Sequence, residues 1–373
     1  MTDVIRVAPD NPDPTAIERA AECLRNGGLV AFPTETVYGL GVNALDRAAV
    51  RRLFAVKERP ATDPLIVHVG SIESIRPLVS RVPKSARSLA RHFWPGPLTL
   101  VFPRSAQVPD EVTAGLPSVA IRVPMHPVAR ALIIAAAVPV AAPSANLFSR
   151  PSPTQASHVL DDLGGRIDLV VDGGSTTIGV ESTVLDLTSD TPTVLRPGAV
   201  TIEMLRKVVR RVRALDSGLG IRDSGLGIRD SGFVDQDAGF GNTPMPSPGM
   251  LEKHYSPRAV LTLYEGEANA ALQSLIAAAA AALAEGKAVG LIAAEEDRAA
   301  LESLASHGRL FLRTLGSADA PEAVASKLYA TLRELDATGA DLILVRGFPD
   351  RGLGAAVQDR LRRAAAGRIV QAR

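Results

Sequence analysis

Residues 31–41 read AFPTETVYGLG. A short apolar run passes directly into a hydroxyl-rich loop ending in Gly, which predicts a strand that delivers Thr34, Thr36 and Tyr38 to one place as a ligand cradle. Upstream, TAIERAAECLRNG (15–27) carries apolar residues at helical spacing and closes on Gly27 and Gly28, a helix stop. LVAFPT (29–34) is the strand it feeds, DRAAVRRLFAVK (46–57) the next helix and PLIVHV (64–69) the next strand. The alternation runs on through LTLVFP, VAIRVP, a helix at 127–137, PVAAPS, a helix at 154–163, DLVVDG, STVLDL and TVLRPG to a basic helix near 201–214. Many short strands with interspersed helices predict a mixed α/β domain on a twisted sheet over 1–214, with the polar motifs on loops above a sheet edge.

The character then changes. Residues 217–237 are three seven-residue copies, SGLGIRD, SGLGIRD and SGFVDQD, without the apolar seam of a coiled coil. With the Pro/Gly-rich stretch that follows, they define a connector over 215–257, whose end carries Met250, His254 and Tyr255, side chains suited to anchoring. From 258 to 373 strand–helix alternation resumes: VLTLY, an Ala-rich helix at 268–285, AVGLIAA, RLFLRTL, a helix at 321–337, DLILVRG and a last helix at 354–366. This spacing predicts a smaller, Rossmann-like parallel sheet flanked by helices. It shows no paired acids, metal spacing or Gly-rich phosphate loop, so its expected part is to anchor the connector.

Composition narrows the function. The 373 residues are 46% hydrophobic and 22% charged, enough for two cores. Forty-one basic against 40 acidic residues leave a net charge of +1, so any anion recognition has to be local. The single cysteine, Cys23, allows no internal disulfide and no cysteine-rich metal site, which fits a reducing, cytoplasmic setting. The N-terminus lacks a signal-peptide pattern. The apolar runs at 131–142 and 275–283 are too short for a membrane span, so no membrane association is expected.

The chain has no GxxxxGK[ST] loop, GxSxG elbow, HExxH, CxxC, or GxGxxG between strand and helix. What residues 1–200 do hold is a set of loop cations, Lys57, Arg59, Arg122 and Arg196, interleaved with Thr36, Ser118, Ser144, Asn146, Ser152, Ser182 and Thr183. Arg gives bidentate contacts to phosphate or carboxylate, Lys a compact charge, and short hydroxyls let a phosphate approach the backbone. Such a set suits a nucleotide triphosphate. With no nucleophile or carboxylate dyad beside it, the expected catalysis is positioning and electrostatic stabilisation at phosphorus.

PTETVYGLG, KERP followed by DPLIVH, WPGPLT, SVAIRVP, APSAN, SRPSPT, ESTVLDL and VLRPGAV, in that order, resemble the YrdC-like threonylcarbamoyl-AMP synthases over about 15–205. SPGMLEKHYSP and GLGAAVQDRLRRAAAGRI further resemble the long, two-domain form of that family. The resemblance implies a nucleotidyltransferase that forms threonylcarbamoyl-adenylate and pyrophosphate from L-threonine, bicarbonate or CO2, and ATP. The product would pass to a tRNA threonylcarbamoyl transferase complex that modifies tRNAs reading ANN codons; contact with tRNA itself is not required.

Carried over by motif, Lys57, Arg59, Ser144 and Asn146 would grip the phosphates as the catalytic group. ATP would further meet Asp63, Ser118, Ser152, Arg196 and Tyr255, the last from a connector acting as a lid. Threonine would meet Thr36, His68, Arg122, Ala142 and Ser182. Mg2+ would be held mainly by the nucleotide and water, with no protein metal site. Two departures stand out: Asp63 lies where the family often carries Asn before Pro-Leu, and the heptads lengthen the connector. From another class, the basic run RKVVRRVR at 206–213 suggests an RNA-binding module without nucleotidyl transfer, though aromatic residues make up only 4% of the chain and offer few stacking platforms. The related hydrogenase-maturation enzymes need Cys-rich zinc modules, which one cysteine excludes.

Overall fold

The computed structural model describes residues 1–216, 220–222, 244–251, 253–304 and 307–372. Among the described residues, twelve strands form one mixed sheet in the order Asp3–Arg6, Leu169–Asp172, Val30–Pro33, Tyr38–Asn43, Val140–Ala141, Ile66–His68, Ser118–Arg122, Leu98–Pro103, Thr183–Asp186, Thr193–Arg196, Arg213–Asp216 and Gly220–Arg222. The helix expected from TAIERAAECLR is Pro14–Arg25; Asp13 caps it by accepting from the Ala16 amide, and Ile17, Ala20, Ala21 and Leu24 are buried on one face. That face packs against the helix Pro127–Ala136. Each fully buried Leu or Ile stabilises the layer by roughly 1.5–3 kcal/mol.

Register decides where the polar motifs meet. Val30–Pro33 and Tyr38–Asn43 pair antiparallel, so Thr34–Val37 is their turn. Ile66–His68 runs parallel to Ser118–Arg122, which sets His68 directly opposite Arg122 at the ends of both strands. Val140–Ala141 runs antiparallel beside Ile66–His68 and delivers Ala142 and the following APSAN residues to the same edge.

The basic helix expected over 201–214 ends early. It spans Ile202–Val208, Val209 is already extended at φ −128°, and Arg213–Asp216 is a strand parallel to Thr193–Arg196. Apolar residues at 205, 208, 209 and 212 mimic helical spacing, but Leu205 reaches the core from the helix and Val212 from the loop after it. Gly220–Arg222, inside the first heptad copy, folds back antiparallel on that strand and forms the sheet edge rather than loose connector. Residues 217–219 and the rest of the copies, 223–237, lie outside the described residues.

Five parallel strands make the second sheet, in the order Leu310–Thr314, Val289–Ala293, Leu342–Arg346, Val260–Gly266 and Ile369–Ala372. The helices Ala268–Ala284, Pro321–Ala337 and Gly354–Ala365 accompany them, a Rossmann-like arrangement. Central strands such as Val289–Ala293 are buried throughout, as a parallel sheet covered on both faces requires.

The two sheets share a core. Val37, Val180 and Tyr255 belong to the same apolar cluster as Leu261, Leu328 and Tyr329. Arg333 bonds the Asp162 carboxylate at 2.7 Å and the Pro151 carbonyl at 2.6 Å, and Asp336 accepts from the amides of Arg258 and Ala259. Gly179, at φ +82°, sits so close to the helix Pro321–Ala337 that a Cβ there would lie 2.4 Å from the Ala325 carbonyl oxygen. Among the described residues, no helix is long and apolar enough to cross a membrane.

Candidate active site

The turn 34–37 organises itself. Thr34 Oγ1 bonds the Val37 carbonyl at 2.6 Å and lies 2.8 Å from Thr36 Oγ1, an arrangement that turns the Thr36 hydroxyl toward Arg122 Nη1 at 2.9 Å. Arg122 is further fixed by Nε to the Gly96 carbonyl at 3.2 Å, while Nη2 stands 2.7 Å from Glu35 Oε1 without hydrogen-bond alignment. Burial alone would raise the Glu35 carboxyl, but Arg122 outweighs it and holds the group below the ordinary range. The guanidinium is thus anchored on two sides, with Nη2 free of an aligned acceptor.

His68 is buried opposite Arg122, edge-on to Phe32, with Nδ1 unpartnered. Burial, aided by the Arg122 charge, pushes its imidazole down to about 3, so the ring is neutral at any working pH. Ser182 Oγ lies 2.8 Å from Thr99 Oγ1 and accepts from Arg196 Nη2 at 3.2 Å.

Beyond Ser182 the pocket becomes cationic. Arg196 also donates to the Ser182 carbonyl and, through Nη1, to the Pro248 carbonyl at 3.1 Å. Arg59 donates to the carbonyls of Asp63 and Pro64 and lies 2.9 Å from the Asp63 carboxylate. Burial pushes the Asp63 carboxyl up against the pull of Arg59. These charges are held on backbone carbonyls before any ligand arrives, the preorganisation that electrostatic catalysis needs.

The connector roofs this space. Pro248, Gly249, His254 and Tyr255 line it, and the room left is about 50 Å3, enough for a few waters and well short of the several hundred that hold a nucleotide. Both His254 ring nitrogens lack partners, and burial with four nearby cations, Arg59 first among them, keeps the imidazole far below its usual value. Tyr255 has φ +61° and sits with His254 at 4.0 Å and Tyr329 at 5.5 Å between ring centres; burial, then Glu181, pushes its hydroxyl up to about 12.

Glu181 joins the second domain to the pocket. Its carboxylate lines the cavity and accepts from Ser152 Oγ, from Tyr329 Oη at 2.9 Å and from Arg360 Nε at 2.8 Å. Arg360 also bonds Asp359 and the Pro197 carbonyl and lies 5.3 Å from the centre of the Tyr255 ring. Arg363 holds the connector by the Met250 and Leu251 carbonyls.

Of the residues singled out in the sequence, Thr36, Arg59, His68, Arg122, Ala142, Ser144, Ser182, Arg196 and Tyr255 line one cavity. Lys57, Asp63, Ser118, Asn146, Ser152 and Thr183 do not, and Tyr38 of the expected cradle turns away, its hydroxyl donating to the Gly174 carbonyl at 2.6 Å. Lys57 is wholly buried behind the wall, its ammonium donating to the Ser144 carbonyl at 2.5 Å and to that of Asn146; burial, then Arg59, drives it well below the usual lysine range. Asn146 bonds the Leu147 and Arg150 carbonyls, and Ser118 borders a small cleft with Pro246 and Pro248. Glu35, Thr99, Glu181, His254, Tyr329 and Arg360 escaped the sequence reading as site residues. Glu35 and Glu181 directly precede Thr36 and Ser182, and Arg360 lies in GLGAAVQDRLRR, so position alone pointed to them; Tyr329 gave no signal.

The family model described as "Telomere recombination" (Sua5, YciO and YrdC) matches residues 22–198, and that described as "Threonylcarbamoyl-AMP synthase, C-terminal domain" matches 200–366. The chain is 41% identical over 371 residues to the threonylcarbamoyl-AMP synthase of Pyrococcus abyssi, covering 100% of both chains. It is 42% identical over 356 residues to that of Bacillus subtilis, covering 95% of this chain and 94% of the other. Its fold is similar to that of P. abyssi Sua5 complexed with L-threonine, with a TM-score of 0.85 and 40% identity over 100% of each chain. From motif order, two-sheet architecture and full-length likeness, the chain belongs to the threonylcarbamoyl-AMP synthase family.

Proposed function

We propose that this chain condenses L-threonine, bicarbonate-derived CO2 and ATP into threonylcarbamoyl-adenylate and pyrophosphate, in the cytoplasm, upstream of a transferase complex that modifies tRNAs reading ANN codons. The observation that carries the reading is Arg122: a buried guanidinium fixed by Gly96, Glu35 and Thr36, in the lining of a cavity that it shares with His68, Ala142 and Ser182. Such a group suits the carboxylate of an amino acid. The likeness to a P. abyssi protein complexed with L-threonine supports the same assignment.

Threonine's amine captures CO2 as a carbamate, and a carbamate oxygen attacks the α-phosphorus, with pyrophosphate leaving. No enzyme nucleophile is required. Arg59 and Arg196 stabilise the phosphates directly with Ser144, and Lys57 acts by holding the carbonyls of Ser144 and Asn146 in place. A Mg2+ ion would be held by the nucleotide and water, because the carboxylate in the lining, Glu181, already spends both oxygens on hydroxyl and guanidinium donors.

Because about 50 Å3 cannot admit ATP, the connector residues Pro248, Gly249, His254 and Tyr255 swing away for entry and release Arg196 Nη1 from Pro248 for a phosphate. Their return excludes water from the reactive anhydride. The test is pyrophosphate release with bicarbonate and ATP, comparing L-threonine, L-serine and no amino acid. Threonine-dependent release that Arg122→Lys weakens mainly through the threonine KM supports the reading; release indifferent to the amino acid overturns it.

A further inference from the structure

A recess of about 590 Å3, much larger than the roofed cavity, opens elsewhere on the first domain. Four arginines from three elements border it: Arg76 from the turn Glu73–Leu78, Arg87 and Arg91 from the helix Lys84–Phe93, and Arg130 from the helix Pro127–Ala136. Arg87 and Arg91 are four residues apart and so share one helix face, an unfavourable like-charge spacing. Among the described residues, none of these four side chains has a hydrogen-bond or ion-pair partner. Arg130 Nε is buried and unpartnered, a donor that has lost water and gained nothing. Glu73 is the one carboxylate in the lining, exposed and outnumbered.

Trp94 gives the recess an aromatic wall, its indole N–H held by the Leu98 carbonyl at 2.6 Å. Ile75 and Ala90 supply apolar floor. Convergent guanidiniums suit phosphate, a fixed indole suits a flat ring, and the volume suits one small ligand. We propose that this recess is a second binding site, for a nucleoside phosphate, distinct from the reaction pocket. A single aromatic in the lining favours a small ligand over a nucleic-acid strand, which needs successive stacking platforms. The two sites share a wall: Gly96, next to Pro95 of the recess, accepts from Arg122 Nε and donates to the carbonyl of Val123, another lining residue. An occupant therefore bears on the loop that fixes Arg122.

Trp94 is the only tryptophan of the chain, so its emission reports on the recess. The full-length protein and an Arg87→Ala/Arg91→Ala variant are titrated with ADP, which cannot form an adenylate, and bound ADP is counted by equilibrium dialysis. The expected result is a saturable, salt-sensitive change in Trp94 emission that weakens roughly tenfold or more in the variant. The variant also loses one equivalent of bound ADP while pyrophosphate release at saturating ATP is kept. Equal ADP counts in both proteins, or an unchanged emission response in the variant, overturn the proposal. Inorganic pyrophosphate binding as tightly as ADP removes the nucleoside part. A response to a single-stranded oligonucleotide with none to ADP assigns the surface to RNA instead.

Discussion

Arg59, Arg122, Arg196 and Arg360 are each less than a tenth exposed and each donates to at least two named acceptors, whereas Arg76, Arg87 and Arg91 are exposed and, with half-buried Arg130, meet none among the described residues. The first set is architecture, and three of its members, Arg59, Arg122 and Arg196, also line the candidate site. Its charges were desolvated during folding and are held by carbonyls and carboxylates, so removing one strands its partners in a medium that cannot solvate them. Arg76, Arg87 and Arg91 of the second set face water and constrain nothing. The same residue type therefore carries opposite mutational consequences within one domain.

The sharpest test of that contrast is Arg360→Met, which leaves Glu181 buried without its guanidinium. A loss of about 3–5 kcal/mol in urea denaturation is expected, together with weakened turnover. A loss below about 1 kcal/mol would place Arg360 with the dispensable arginines. Tyr329→Phe removes only the hydroxyl that Glu181 accepts from, and about 1.5–3 kcal/mol should be lost on the same measurement. An unchanged midpoint there would show that Arg360 and Ser152 suffice.

A smaller effect comes from His68. It is a base whose folded value, about 3, lies below its unfolded value near 6.5, so as pH falls the unfolded chain takes up a proton that the native state refuses. Stability is therefore lost as pH drops through that window, by about 1.4 kcal/mol per unit from this group. His68→Gln should flatten the dependence between pH 6.5 and 4 in denaturant titrations by that amount; parallel curves would mean the imidazole is not held neutral. Smallest of all, Arg87→Ala/Arg91→Ala should leave the unfolding midpoint where it is. A clear drop would reveal a structural partner for these groups.

Much of the first domain was legible because its chemistry is local. PTETVYG builds its own turn through Thr34, and strand ends punctuated by Pro and Gly announce where loops begin. Register then assembles the loops, and no local pattern states that His68 will face Arg122. Lys57 shows the limit from the other side: a cation in a promising motif whose ammonium turns inward to support the APSAN loop. Glu181, Tyr329 and Arg360 lie up to 179 residues apart, and their meeting depends on how two sheets dock, information that no window of sequence contains. The early end of the basic helix has the same origin, since a neighbouring strand offered Arg213–Asp216 a ladder that local spacing could not foresee.

Gly179 turns the docking of the two sheets into something that can be manipulated. Any Cβ at that position drives into the backbone of the helix carrying Tyr329, with no flexible side chain to give way, and φ +82° adds strain of its own. A substitution such as Gly179→Val is in effect a wedge inserted from the first domain. Graded wedges, Ala then Val then Leu, would pry the junction open by increments against the apolar cluster that the two sheets share, converting a fixed joint into an adjustable one whose spacing can be set by a single residue.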